Sequence, residues 1–91
     1  MAMMVILHRV RDYDAWRKAY KEVAPMQKAG GVTKESVYQA KGDPRNVLVL
    51  HSFATMGEAE KFAASPDLRS AMGRAGVEGA PRIEFFEEAK T

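Results

Sequence analysis

VLVLHSFA, residues Val47 to Ala54, is the stretch whose reading decides the fold. Successive residues of a strand point to opposite faces, so an antiparallel strand with one wet face alternates apolar and polar side chains. This run does not alternate. Val47 and Val49 share one face with His51, while Leu48 and Leu50 share the other. MMVILHRVR (Met3–Arg11) repeats the pattern, with Met4, Ile6 and His8 opposite Val5 and Leu7. RIEFFEE (Arg82–Glu88) sets Phe85 and Phe86 on opposite faces. These strands are apolar on both sides, and helices can cover only one side of a sheet. The aliphatic side chains left over would each forgo roughly 1.5–3 kcal/mol of burial, so the second face is expected to pair with a second copy of the chain.

Between these strands lie helices and one hairpin. Asp12 and Asp14 offer N-caps, and Tyr13, Trp16, Tyr20, Val23, Ala24 and Gln27 then recur at helical spacing. This amphipathic helix is expected to run from Asp14 to Ala29, bent but not ended by Pro25, and to stop at Gly30-Gly31. Val32 to Lys41 reads as a strand, and Gly42 to Asn46 (GDPRN) as the turn of a hairpin into Val47–Ala54. Thr55 and Glu58 have the spacing of a capping box; Ser65-Pro66 has that of an N-cap with proline at the first helical position. Gly76 reads as a helix stop, Gly79-Ala80-Pro81 as a loop, and the tail to Thr91 as frayed. The order β-α-β-β-α-α-β closes most simply as an α+β, ferredoxin-like domain over residues 1–91. Its four-stranded antiparallel sheet would place the first and third strands at the centre.

Composition removes several classes of function. The 91 residues make one domain, and the absence of cysteine excludes disulfides, thiolate metal sites and a thiol nucleophile. A net charge of +2 with mixed signs along the chain is no polyanion-binding signature. The central strands carry aliphatics where an RNA-recognition sheet needs stacking rings, so no nucleic-acid partner is expected. The longest apolar stretch, Met1–Leu7, is too short to span a bilayer and has no signal-peptide flanks. No membrane partner and a cytoplasmic location are the expectations.

Three segments together carry a resemblance: HRVRDYDAWRKAY (His8–Tyr20), GDPRNVLVL (Gly42–Leu50), and SPDLRSAMGRAGV (Ser65–Val77) leading to PRIEFF. The chain resembles the dimeric α+β barrel superfamily, and more narrowly its small cyclase-like or antibiotic-biosynthesis-monooxygenase-like members. The resemblance implies a homodimer joined through the sheet faces and a pocket between helices and sheet. It implies a family that includes cofactor-independent quinone-forming monooxygenases, haem-degrading enzymes and polyketide cyclases. Haem-degrading members combine an Asn, a Trp and a His. Here Trp16 has no Asn ahead of it, and the only Asn, Asn46, falls in the hairpin turn. No catalytic assignment is carried over, and no cofactor is expected.

The residues themselves nominate a site. His8 and His51 are the only histidines, both on central strands, and either could act as a general base near neutral pH. The competing reading is a pair of structural histidines. A metal would need both of them with a carboxylate such as Glu84, and no close-spaced ligand motif supports one. Trp16, Tyr20, Tyr38 and Phe62 could wall a pocket for an aromatic ligand, or they could fill the core, with Tyr38 the one best placed to reach the dimer contact. Two functions follow: a small-molecule enzyme using shape and a base for oxygenation or cyclisation of an aromatic or polycyclic substrate, or a non-catalytic ligand-binding or structural homodimer.

Overall fold

The computed structural model describes residues 1–89; the tail positions Lys90 and Thr91, expected to fray, lie outside them. The chain runs β1 (Ala2–Val10), α1 (Tyr13–Glu22), α2 (Ala24–Ala29), β2 (Val32–Ala40), β3 (Asp43–Phe53), α3 (Met56–Ala63), α4 (Pro66–Arg74) and β4 (Val77–Glu87). Short polar side chains start three of the helices. Asp12, Thr55 and Ser65 accept from the amides of Asp14, Glu58 and Asp67 at 3.1, 3.2 and 3.2 Å. Each satisfies one of the donors that a helix leaves unpaired at its start.

The strands form one antiparallel sheet in the order β2-β3-β1-β4, with β1 and β3 at the centre as the crossover rule requires. Register fixes which side is which. Ile6 lies opposite both Val49 and Ile83, and Met4 lies opposite both His51 and Phe85. The helices cover this side, so Met4, Ile6, Val10, Val47, Val49 and Phe53 are buried beneath Trp16, Ala59, Phe62 and Leu68. The opposite side stays bare. Val5 pairs with Leu50 and Leu7 with Leu48, and Tyr38 and Phe86 flank them, both at least half exposed.

Three boundaries differ from the sequence reading. The hairpin closes on Lys41-Gly42 alone, with Gly42 at φ 81°, and Asp43–Asn46 already belong to β3. An ion pair from Arg9 to Asp43 at 2.8 Å helps tie this segment to β1. Gly79-Ala80-Pro81 is no loop: it lies within β4, where the register with β1 shifts between Leu7 and Arg9. Pro81 is tolerated there because β4 is an edge strand and the ladder is already irregular.

The third difference concerns Pro25. The expected bent helix from Asp14 to Ala29 is instead two helices, divided at Val23 (φ −95°, ψ 8°). The Val23 N–H returns to the carbonyls of Tyr20 and Lys21, closing α1. Pro25 then falls in the first turn of α2, where a backbone N–H has no helical acceptor to lose. The roughly 3 kcal/mol charged to a mid-helix proline does not apply. Pro25→Ala should therefore bring no gain in stability, and should lose up to about 1 kcal/mol because the unfolded chain becomes more flexible. Thermal unfolding checks this: a slightly lowered Tm is expected, and a rise of ten degrees or so would mean that the proline is strained after all.

Candidate functional site

Helix α1 lays Trp16 and Tyr20 across the inner face of the sheet because their spacing of four puts them on one stripe. Beneath them, alternation along β1 and β3 aims His8 and His51 inward with Ile6 and Val49. Leu68 and Met72 of α4 close the far wall, and Gln27 of α2 closes the near one. These groups enclose a cavity of about 50 Å³. That is room for a few waters, whereas pockets for drug-sized ligands run to roughly 300–1,000 Å³.

The rings form a ladder. His8 lies 5.4 Å from Trp16, Trp16 is stacked 4.9 Å from Tyr20, and Tyr20 is 6.2 Å from His51, centroid to centroid. The two histidines thus share one cavity but are held apart by Trp16 and Tyr20. In register terms His51 lies opposite Met4 while His8 lies opposite Val47, four residues further along β1. They cannot chelate one ion together. Glu84, the carboxylate considered as a third ligand, pairs with Val5 and so lies on the other face of the sheet. Among the described residues no three His, Asp or Glu side chains gather as a metal site.

His8 is 6% exposed, and neither of its ring nitrogens has a hydrogen-bond partner. His51 is 1% exposed; its Nε2 meets the Tyr20 hydroxyl at 3.0 Å, and its Nδ1 has no partner. The Tyr20 hydroxyl also donates to Glu35 Oε1 at 2.7 Å, and Glu35 stands exposed at the rim. Burial lowers the pKa of His8 to about 4. Burial likewise lowers that of His51 to about 4, with the Glu35 charge pulling weakly the other way. Burial, helped by Glu35, pushes the Tyr20 hydroxyl well above its ordinary value. Both histidines are therefore neutral at pH 7, which is the form able to accept a proton.

Of the residues nominated from sequence, His8, His51, Trp16 and Tyr20 line the cavity. Phe62 stands behind it, packed edge-on against His51 at 5.8 Å and against Phe53 at 5.6 Å. Tyr38 is the correction. It lies opposite Leu48 on the bare face, 55% exposed, because its strand parity is opposite to that of Val37, whose partner is the buried Val49. Glu35 was missed, although the same parity could have found it: it sits two residues before Val37 and opposite His51.

Stability should depend on pH through the histidines. In the unfolded chain each takes up its proton near 6.5, and in the folded one only near 4. Between those values the unfolded state holds more protons, so stability is full above about pH 6.5 and falls as the pH drops. The slope is up to about 1.4 kcal/mol per pH unit for each histidine. Urea unfolding at pH 7, 6 and 5 should follow this trend, and His8→Leu should flatten the slope by about half. A pH-independent midpoint over that range would contradict the burial of neutral rings.

No protein-family model and no curated protein matches the chain. Solved structures do. A candidate antibiotic biosynthesis monooxygenase from Bordetella bronchiseptica superposes with a TM-score of 0.82 at 9% identity, over 98% of this chain and 97% of that one. SnoaB, a cofactor-independent oxygenase from Streptomyces nogalater, gives 0.79 at 10% identity, over 99% and 94%. A candidate antibiotic biosynthesis monooxygenase from Caulobacter crescentus CB15 gives 0.76 at 19% identity, over 98% and 90%. At such identities the likeness speaks for the fold, and this chain has the ferredoxin-like α+β fold of the antibiotic-biosynthesis-monooxygenase-like proteins.

Proposed function

We propose that this protein binds a small aromatic molecule with a polar ring substituent in the cavity between α1, α4 and the sheet. The observation that carries the proposal is His8: a nine-tenths buried imidazole without one hydrogen-bond partner, in the lining of a mostly apolar cavity whose other polar side chains are His51, Tyr20 and Gln27. Buried polar groups are normally paired, and an unpaired one costs about 1–3 kcal/mol. A ligand hydroxyl or carbonyl would supply the missing bond while its ring lay along Trp16. The cavity must widen to admit it. Met72 is the flexible member of its wall, and an unbranched thioether side chain adapts readily.

Cofactor-independent oxygenation or cyclisation is the chemistry this site could supply. The chain offers shape, a mostly apolar lining and a neutral histidine to take a proton from a ring hydroxyl or an activated C–H. The electron pair would stay on the substrate, ready for oxygen or for an internal electrophile. Likeness to a cofactor-independent oxygenase supports this reading at the level of the fold. The small cavity favours a second reading, a binding protein without turnover. We also propose a homodimer through the bare face, where Val5, Leu7, Leu48, Leu50, Tyr38 and Phe86 await a cover. The chain's 6051 Å² of accessible surface exceeds the roughly 5,300 Å² expected for a monomer of its mass, in keeping with such a face.

Hydroxynaphthoquinone is a suitable probe for binding. It should quench Trp16 fluorescence saturably, and His8→Ala should weaken its binding roughly fivefold to tenfold, the worth of one hydrogen bond. Unsaturable quenching, or equal affinity in the variant, would remove His8 from the site. Oxygen uptake with the probe bound separates an enzyme from a binder. For the assembly, light scattering should give twice the 10.1 kDa chain mass. Leu50→Asp should yield a folded monomer, and Val49→Asp, in the buried core, should unfold the chain. A native protein that remains monomeric at high micromolar concentration would refute the dimer.

A further inference from the structure

Hydrogen-bond direction at His51 follows from its neighbours. A phenol has one proton to donate. The Tyr20 hydroxyl meets Glu35 Oε1 at 2.7 Å and His51 Nε2 at 3.0 Å, and the Gln27 amide, which can only donate to it without taking its proton, bonds the same oxygen. A carboxylate only accepts, so the Tyr20 proton goes to Glu35. The His51 Nε2 must then carry a hydrogen and donate it to the Tyr20 oxygen. In a neutral imidazole one nitrogen carries the proton and the other the lone pair, and the bond at one nitrogen selects the form. Nδ1 is left as the lone pair, buried and without a partner.

We propose that Glu35, acting through Tyr20, is a positioning residue that holds His51 as its Nε2–H tautomer and so leaves Nδ1 as the proton-accepting atom of the ring. This rests on the proposed ligand site for its use, but the tautomer itself does not. The arrangement is that of a base oriented by a carboxylate, with a phenol inserted between the two. When Nδ1 takes a proton from a bound molecule, the pair from the broken bond stays on that molecule and His51 becomes an imidazolium. Its Nε2–H still points along the chain toward the Glu35 charge, which stabilises the cation without receiving the proton. Glu35 is exposed and Tyr20 reaches it from α1, so the charge stays hydrated at the rim while its effect is felt inside. His8 has no such support and can only meet a ligand directly. The two histidines therefore differ in role although both are buried and neutral.

The test is nuclear magnetic resonance on protein labelled with ¹⁵N in histidine, where two-bond proton–nitrogen correlations report the tautomer of each ring without any ligand. At pH 7 the Nε2–H form of His51 should exceed the Nδ1–H form by at least about tenfold, the factor that one charge-assisted chain provides. Glu35→Gln lets the side-chain amide donate to Tyr20, freeing the Tyr20 hydroxyl to turn toward Nε2. It should bring the two forms close to equal population, and Glu35→Asp should restore part of the bias. Because Glu35 is exposed, both variants should fold, and their amide spectra check it. A His51 that is Nδ1–H in the native protein would overturn the proposal, and so would a native bias that Glu35→Gln leaves unchanged. If the tautomer shifts as expected while no probe binds, the positioning stands and the ligand reading falls.

Discussion

Two-residue alternation in β1 and β3 is the constraint on which the molecule depends. Both strands are apolar at odd and even positions, so the central pair has two hydrophobic faces and one set of helices to cover them. The covered face becomes a core closed by Trp16, Phe62 and Leu68. The other face keeps Val5, Leu48 and Leu50 only half-buried in the lone chain. The same alternation carries His8 and His51 into the interior, since each shares its parity with buried aliphatics. Core, cavity and bare face are thus consequences of a single pattern.

Within the core, polarity is distributed unevenly. Tyr20 and Glu35 satisfy one nitrogen of His51, while three imidazole nitrogens of the two rings remain without partners. A stable domain of this size has a stability of only about 5–15 kcal/mol, so unpaired buried nitrogens are a substantial liability. Such groups are ordinarily met by a buried water or a ligand. The apolar lining around them raises the strength of any hydrogen bond a ligand makes there, because little water competes.

Much of this was legible in the residues, and the gaps have physical causes. The caps at Asp12, Thr55 and Ser65 were readable because a short side-chain acceptor before a helix has one favoured use. Trp16 and Tyr20 were readable from helical spacing. Which face of VLVLHSFA points inward was not, because both parities are apolar; only the helices decide it. Pro25 misled because the apolar stripe runs past it, whereas the backbone restarts the helix at Val23 and places the proline where it does no harm. Pro81 misled in the same way, since an edge strand accepts what a central one cannot. Glu35 escaped notice because a carboxylate on a polar strand reads as surface. It is surface, but it is also bonded to a tyrosine that touches a buried histidine.

One measurement bears most directly on the claim that the helix-covered face holds a ligand at His8. With hydroxynaphthoquinone added to the labelled protein, intermolecular nuclear Overhauser effects locate the probe. Contacts are expected from the probe to the His8 ring protons and to the Trp16 indole, with none to Leu7, Leu48 or Leu50. Contacts confined to those outer-face leucines, or an unmoved His8 ring signal at saturating probe, would contradict the claim.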